Sequence, residues 1–84
     1  MVSVNKLKLY TKPGCWLCDT AEDMLNGQRQ KYSLEIERVD ITSDDKIFAL
    51  YRFDIPVIEF PDGATLHGRI KKNDLLWRLD DLEK

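Results

Sequence analysis

The stretch TKPGCWLCDTAEDML, residues 11–25, contains both cysteines of this chain, Cys15 and Cys18. Two residues separate them, and a Pro-Gly pair comes directly before Cys15. Three explanations of this spacing compete: a redox-active pair, half of a metal site, and two inert cysteines. The elements on either side of the stretch discriminate between them, because a redox pair of this spacing belongs in a β-α-β unit.

The flanking residues predict such a unit. Upstream, KLKLY at residues 6–10 alternates leucine with lysine, which is typical of a strand. Apolar residues with helical spacing then predict a helix from about Cys15 to Asn26. SLEIERVDI at residues 33–41 predicts a second strand. Its apolar positions change parity after Arg38, so we expect either a bulge or burial on both faces.

The second half predicts a helix, a hairpin and a final helix. Thr42 and Asp45 fit a capping box at the start of a short helix. IPVIEF at residues 55–60 and ATLHG at 64–68 predict a hairpin around the turn PDG, and the last helix should start near Asn73. The apolar sides of the two helices comprise Ile47, Phe48, Leu50 and Tyr51, and then Leu75, Leu76, Leu79 and Leu82. The order β-α-β-α-β-β-α predicts an α/β fold, with helices on both faces of a four-stranded mixed sheet.

Composition and charge reduce the number of function classes that the chain could belong to. The chain has 84 residues, enough for one domain, and 43% of them are hydrophobic. The net charge is −2 with mixed signs and no basic stripe, so we expect no nucleic-acid partner. The N-terminal MVSVNKLKLY resembles no signal peptide, and no apolar run is long enough to span a membrane. We therefore expect a cytoplasmic protein without a membrane partner, and there thiols are normally reduced.

The predicted position of the cysteines favours redox chemistry. Unpaired N–H groups at the head of a helix, together with its dipole, stabilise a thiolate on Cys15 and can lower a cysteine pKa below its usual value of about 8.5. Cys18 lies one turn further on, near enough to attack a mixed disulfide on Cys15. A zinc site would need two more ligands, but the chain has one histidine, His67, so carboxylates would have to serve. We expect no metal in a single chain, although a cluster shared by two copies stays open.

The chain resembles the thioredoxin-fold superfamily, and most closely its glutaredoxin-like branch. The similarity covers nearly the whole chain and rests on YTKPGCWLC, VDI and DIPVIEF, at residues 10–18, 39–41 and 54–60. It implies one thioredoxin-fold domain over residues 1–84, with strand order 2-1-3-4. It also implies a cis bond between Ile55 and Pro56, for which the penalty is small. That bond would lie against the disulfide and leave the Ile55 backbone free to pair with a peptide or glutathione.

The resemblance implies a thiol–disulfide oxidoreductase that transfers electrons through Cys15, as attacking thiol, and Cys18, as resolving thiol. Lys12 matches the family lysine that meets the glycyl carboxylate of glutathione, with an ordinary exposed lysine as the alternative. Trp16 is expected on the surface that faces substrate, because a large aromatic between the cysteines has little core to enter. Ile55 and Pro56 complete the expected substrate-binding set. The alternative function is a non-enzymatic thioredoxin-fold adaptor.

Two departures from the family pattern concern glutathione. Trp16-Leu17 stands where Pro-Tyr is usual. The Gly-Gly turn that holds the glutamyl end of glutathione is replaced by HGRIKKND at residues 67–74, in which only Gly68 and Asp74 could match. We therefore expect no tightly bound cofactor and only weak binding of glutathione. The expected partners are a protein or small-molecule disulfide and a reductant, either glutathione or a thioredoxin reductase.

Overall fold

The computed structural model describes residues 4–82, and its elements follow the predicted order with two short additions. The strands are β1 (Asn5–Thr11), β2 (Leu34–Asp40), β3 (Val57–Glu59) and β4 (Thr65–His67). The helices are α1 (Trp16–Asn26), α2 (Arg29–Tyr32), α3 (Asp45–Tyr51) and α4 (Lys72–Leu82). The additions are α2 and a 3₁₀ turn at Ile41–Ser43. None of the helices in this part of the chain is long and apolar enough to cross a membrane.

The four strands form one mixed sheet in the order β2-β1-β3-β4. β1 pairs with β2 in parallel, through the crossover that contains α1, and pairs with β3 in antiparallel fashion. β3 and β4 form the antiparallel hairpin. The predicted thioredoxin fold and its strand order are therefore confirmed.

The parity change in β2 reflects burial on both faces of the sheet. The β1–β2 register runs unbroken from Asn5↔Leu34 to Thr11↔Asp40, so the alternative of a bulge is wrong. Before the parity change, Leu34 packs into the core on one face. After it, Ile41 packs into the core on the other face.

Two apolar cores position the elements. The larger core joins one face of the sheet to α1, α2 and α4, and its buried members are Leu7, Leu9, Ala21, Leu25, Tyr32, Leu34, Ile58, Phe60, Leu75 and Leu79. The smaller core, Tyr10, Ile41 and Val57, packs against α3 on the opposite face. Burying one leucine side chain contributes roughly 1.5–3 kcal/mol. Because Ala21 and Leu25 are anchored in this way, the start of α1 is held next to the end of β1.

The predicted capping box at α3 is wrong. Asp44, not Thr42, caps this helix, since its carboxylate accepts N–H bonds from Lys46 at 2.8 Å and Ile47 at 3.2 Å. Thr42 instead belongs to the 3₁₀ turn, where its N–H donates to the Asp40 carboxylate at 2.9 Å. Each aspartate satisfies N–H groups that a helix start leaves unpaired.

Two further expectations about the helices need correction. Leu50, assigned to the apolar side of α3, is 68% exposed. At about 100° per residue it points roughly a third of a turn away from the face formed by Ile47, Phe48 and Tyr51. Helix α4 begins at Lys72, so Asn73 lies in its first turn rather than at its cap.

Candidate active site

The two cysteines occupy the start of α1 and are joined to each other. Their sulfur atoms are at bonding distance, and their Cα atoms are 5.2 Å apart, within the usual range for disulfides. Cys15 is the N-cap of α1 in extended conformation, and its Sγ accepts a hydrogen bond from the backbone N–H of Cys18 at 3.1 Å. Gly14 precedes it with φ +80°, a left-handed conformation that glycine adopts without steric cost. The Pro-Gly pair thus turns the chain from β1 into α1.

The pair is asymmetric in exposure. Cys18 is 2% exposed and packs inside the domain, whereas Cys15 is only partly buried. The sulfur of Cys15 is therefore the more accessible of the two to a molecule in solution. The order of reactivity expected from the helix start stays a prediction.

The bond between Ile55 and Pro56 is cis, as the resemblance implied, and Pro56 is buried. The Pro56 carbonyl accepts the N–H of Gly68 at 3.0 Å. The Ile55 backbone is free only in part, because its N–H donates to the carbonyl of Tyr51 at 3.2 Å, where the chain leaves α3. Within residues 4–82, no hydrogen bond reaches the Ile55 carbonyl oxygen. The backbone group available to a substrate is thus a single acceptor.

Trp16 lies on the surface between the cysteines and has a partner that the sequence did not reveal. Its side chain is 64% exposed, and the guanidinium carbon of Arg69 lies over its ring, 5.9 Å from the centroid. Arg69 belongs to the segment HGRIKKND, which connects β4 to α4. The available signal was the replacement of the family's small-residue turn by cationic side chains, but the sequence did not show which of them reaches Trp16.

Lys12 is exposed and lines a groove of about 310 Å³ next to the cysteine turn. The other lining residues are Thr11, Pro13, Arg38 and Asp40. Of the charged groups that line the groove, Arg38 and Asp40 already interact with neighbouring residues. Arg38 lies 3.7 Å from the carboxylate of Glu22. Hydrogen bonds from Thr42, from its side chain first and its backbone second, lower the pKa of Asp40. Lys12 has no carboxylate within 4.0 Å in the described part of the chain, so its charge is available to an anion.

The single histidine, His67, lies in the β3–β4 hairpin. His67 is exposed and stands opposite Val57 in the hairpin. Within residues 4–82, no three His, Cys, Asp or Glu side chains are grouped so that they could hold a metal ion.

A mixed sheet of order 2-1-3-4, with a Cys-x-x-Cys pair at the start of α1 and a cis proline before β3, defines a thioredoxin-fold domain of the glutaredoxin type. The chain belongs to the glutaredoxin-like domain family (DUF836), whose sequence model matches residues 6–80.

Solved structures share the fold of this chain. Protein XcR50 from X. campestris is 29% identical, with a TM-score of 0.78 over 89% of this chain and 96% of its own. Protein Ne2328 from Nitrosomonas europaea is 24% identical, with a TM-score of 0.76 over 93% of both chains. A malarial protein is 14% identical, with a TM-score of 0.70 over 94% of this chain and 96% of its own. The last two similarities concern the fold alone.

Proposed function

We propose that this protein is a thiol–disulfide oxidoreductase that works through the dithiol of Cys15 and Cys18. The observation that carries the proposal is the geometry of the pair: Cys15 caps α1 and is partly exposed, while its bonded partner Cys18 is buried. Backbone N–H groups at a helix start favour an anionic sulfur, which is the nucleophile in disulfide exchange.

The reaction has two exchange steps. The Cys15 thiolate attacks one sulfur of a substrate disulfide, which forms a mixed disulfide and releases the other substrate sulfur as a thiolate. Cys18 then loses its proton and attacks the Cys15 sulfur, which releases the second substrate thiolate and forms the Cys15–Cys18 bond. The dithiol loses two electrons, the substrate disulfide gains them, and the protons from the two cysteines end on the released thiolates.

Substrate binding uses the groups around the pair. The carbonyl of Ile55 offers one acceptor to a substrate N–H, and the buried ring of Pro56 fixes the turn that presents it. Trp16 offers an apolar ring beside the sulfur atoms, and Lys12 offers a positive charge at the neighbouring groove. The partner is thus an accessible disulfide, in a protein or a small molecule.

An external reductant must return the disulfide to the dithiol. We expect a thioredoxin reductase or a small thiol to do this in the cytoplasm, where thiols are kept reduced. Glutathione should be a weak ligand, because Arg69, Ile70, Lys71 and Lys72 replace the small-residue turn of the family with side chains.

A turnover assay tests the proposal. The protein should accelerate reduction of insulin by dithiothreitol, and Cys15→Ser should abolish this acceleration. Cys18→Ser should block the second exchange step and so trap the mixed disulfide on Cys15. Thr20→Ala is the matched control, since Thr20 is exposed on the same helix and its hydroxyl donates to the Trp16 carbonyl at 3.1 Å. Turnover that survives Cys15→Ser would contradict the proposal, and a partner interaction that survives without turnover would favour the adaptor.

A further inference from the structure

Arg69 lies over a residue between the two cysteines, and hydrogen bonds anchor the backbone directly before it. Its guanidinium group lies over the ring of Trp16, between the cysteines. The preceding residue, Gly68, donates its N–H to the carbonyls of Asp54 and Pro56, each at 3.0 Å. The segment between β4 and α4 is thereby tied to the turn around the cis proline and to the cysteine turn. Three segments meet at one place, to which Arg69 adds a positive charge.

The conformation of Gly68 supports this placement. Its φ is +71°, in the left-handed region that favours glycine, and the chain turns there from β4 towards α4. Arg69, the next residue, thus follows directly after a turn that glycine adopts without steric cost.

The charge of the segment is unbalanced. HGRIKKND, residues 67–74, carries three cations and one acid, Asp74, which lies in the first turn of α4. Lys71 and Lys72 stand at the start of α4, where the helix dipole disfavours positive charge. In the described part of the chain no carboxylate lies within 4.0 Å of Arg69, the single ion pair there being Arg38 with Glu22. Local helix electrostatics therefore does not account for these cations, and a residue choice that opposes local preference points to a functional role.

A guanidinium group that stacks on an aromatic ring keeps its edges available. Arg presents its N–H donors in the plane of the group, and the guanidinium carbon of Arg69 lies 5.9 Å from the centroid of the Trp16 ring, which leaves room for a ligand at those donors. A carboxylate can thus approach Arg69 edge-on with two parallel hydrogen bonds while the stack persists.

We propose that Arg69, held on Trp16, binds a carboxylate that flanks the substrate cysteine, so that the protein prefers disulfides within acidic polypeptide segments. Arg69 is then a specificity residue of the oxidoreductase, and the inference rests on that proposed function. The exchange steps are unchanged: Cys15 still attacks the substrate sulfur, and Arg69 forms no covalent bond.

Peptide substrates test the preference. Each peptide carries one cysteine in mixed disulfide with 2-mercaptoethanol, flanked by Asp, Asn or Lys on both sides, and hydroxyethyl disulfide serves as the uncharged small substrate. The reduced protein is mixed with each, and formation of the Cys15–Cys18 bond is followed. Each peptide's rate is divided by its rate with dithiothreitol, which removes the intrinsic effect of the flanking charge on the disulfide.

Wild-type protein should favour the Asp peptide over the Asn peptide by about two- to fivefold at low salt, the effect of one exposed ion pair. The ratio should fall towards one at about 1 M salt, where charges are screened within about 3 Å. Arg69→Gln should abolish the preference and Arg69→Lys should keep part of it. Arg78→Gln is the matched control and should keep the wild-type ratio. On α4, the guanidinium carbon of Arg78 lies 5.3 Å from the ring centroid of Trp77, a side chain that is also 64% exposed.

The outcomes separate the two proposals. Reaction with hydroxyethyl disulfide but equal rates for the Asp and Asn peptides would overturn the role of Arg69 and leave the oxidoreductase intact. An Arg69→Gln variant that keeps the wild-type ratio would also overturn that role. Failure of the reduced protein to react with any of these disulfides would overturn both proposals.

Discussion

The hydrogen bond from the Cys18 N–H to the Cys15 sulfur makes Cys15 the N-cap of α1, a structural role that can be measured apart from its proposed chemistry. Replacing Cys15 by serine keeps a side-chain acceptor at the cap, whereas alanine removes it. Both changes remove the nucleophile. The two variants should therefore lose turnover equally but differ in stability.

The expected difference follows from the cap geometry. The bond is 3.1 Å long and part-buried, and loss of an N-cap side chain typically costs about 1 kcal/mol, within a range of about 0.5–2 kcal/mol. We expect Cys15→Ala to be less stable than Cys15→Ser by about 1 kcal/mol. For a domain of this size that corresponds to roughly 4–8 °C in Tm.

The assay is urea unfolding followed by circular dichroism, with dithiothreitol present so that neither variant has a disulfide. Asp44→Ala and Asp44→Ser provide the matched pair on α3, where the aspartate accepts two N–H bonds at 2.8 and 3.2 Å. There too the alanine variant should be less stable than the serine variant, by a similar amount. Equal stability of Cys15→Ala and Cys15→Ser, with the Asp44 pair behaving as expected, would refute the capping role of residue 15.

Three further predictions concern ligand binding, pH and labelling. Glutathione should bind the Cys18→Ser form weakly in an NMR titration, since one exposed charge, that of Lys12, contributes about 0–1 kcal/mol, less than tenfold in affinity. Burial, and then the 3.0 Å hydrogen bond to Glu59, raise the pKa of Tyr10 from 10.0 to about 12. Its contribution to stability is therefore complete below pH 10 and is lost as the pH rises towards 12, so Tyr10→Phe should lose less stability over that interval in urea unfolding. Iodoacetamide should label Cys15 before Cys18 in the reduced protein, as read by peptide mass, because Cys18 is 2% exposed.

For each of these three predictions, one result would contradict it. Saturable NMR shifts at micromolar glutathione would show that the altered turn before α4 does not impair the glutathione site. Identical stability profiles of wild type and Tyr10→Phe from pH 10 to 12 would contradict the raised pKa of Tyr10. Equal or reversed labelling of the two cysteines would overturn the assignment of the nucleophile.

Periodicity predicted the sheet and the long helices because each buries one regular face. Leu7 and Leu9 alternate with lysines in β1, and Ala21 and Leu25 repeat with helical spacing in α1. The Pro-Gly pair then fixed the start of α1, and so the position of the cysteines. By contrast, the four residues of α2 are too few to show a period.

The error at the start of α3 arose because short polar side chains compete there. Thr42, Asp44 and Asp40 all suit a helix start, and only the geometry selects Asp44 for α3 and Asp40 for the 3₁₀ turn. The contact of Arg69 with Trp16 joins segments far apart in sequence, so no local pattern revealed it. The hydrogen bond from the Ile55 N–H to the Tyr51 carbonyl likewise depends on how the chain leaves α3, which no sequence pattern indicates.

The central claim is electron transfer from the Cys15–Cys18 dithiol to a substrate disulfide, and single-turnover mass spectrometry tests it most directly. Reduced protein is mixed with one equivalent of a disulfide-containing peptide, the reaction is quenched with acid, and the mass of the intact protein is measured. The Cys18→Ser variant is treated in the same way. We predict that the wild-type protein becomes lighter by two hydrogen atoms as the peptide becomes reduced. The Cys18→Ser variant should gain the mass of the peptide, attached at Cys15 and removable by dithiothreitol. A wild-type protein that stays reduced beside unreacted peptide, or an adduct that forms on Cys18 of Cys15→Ser as fast as on Cys15 of Cys18→Ser, would contradict the account.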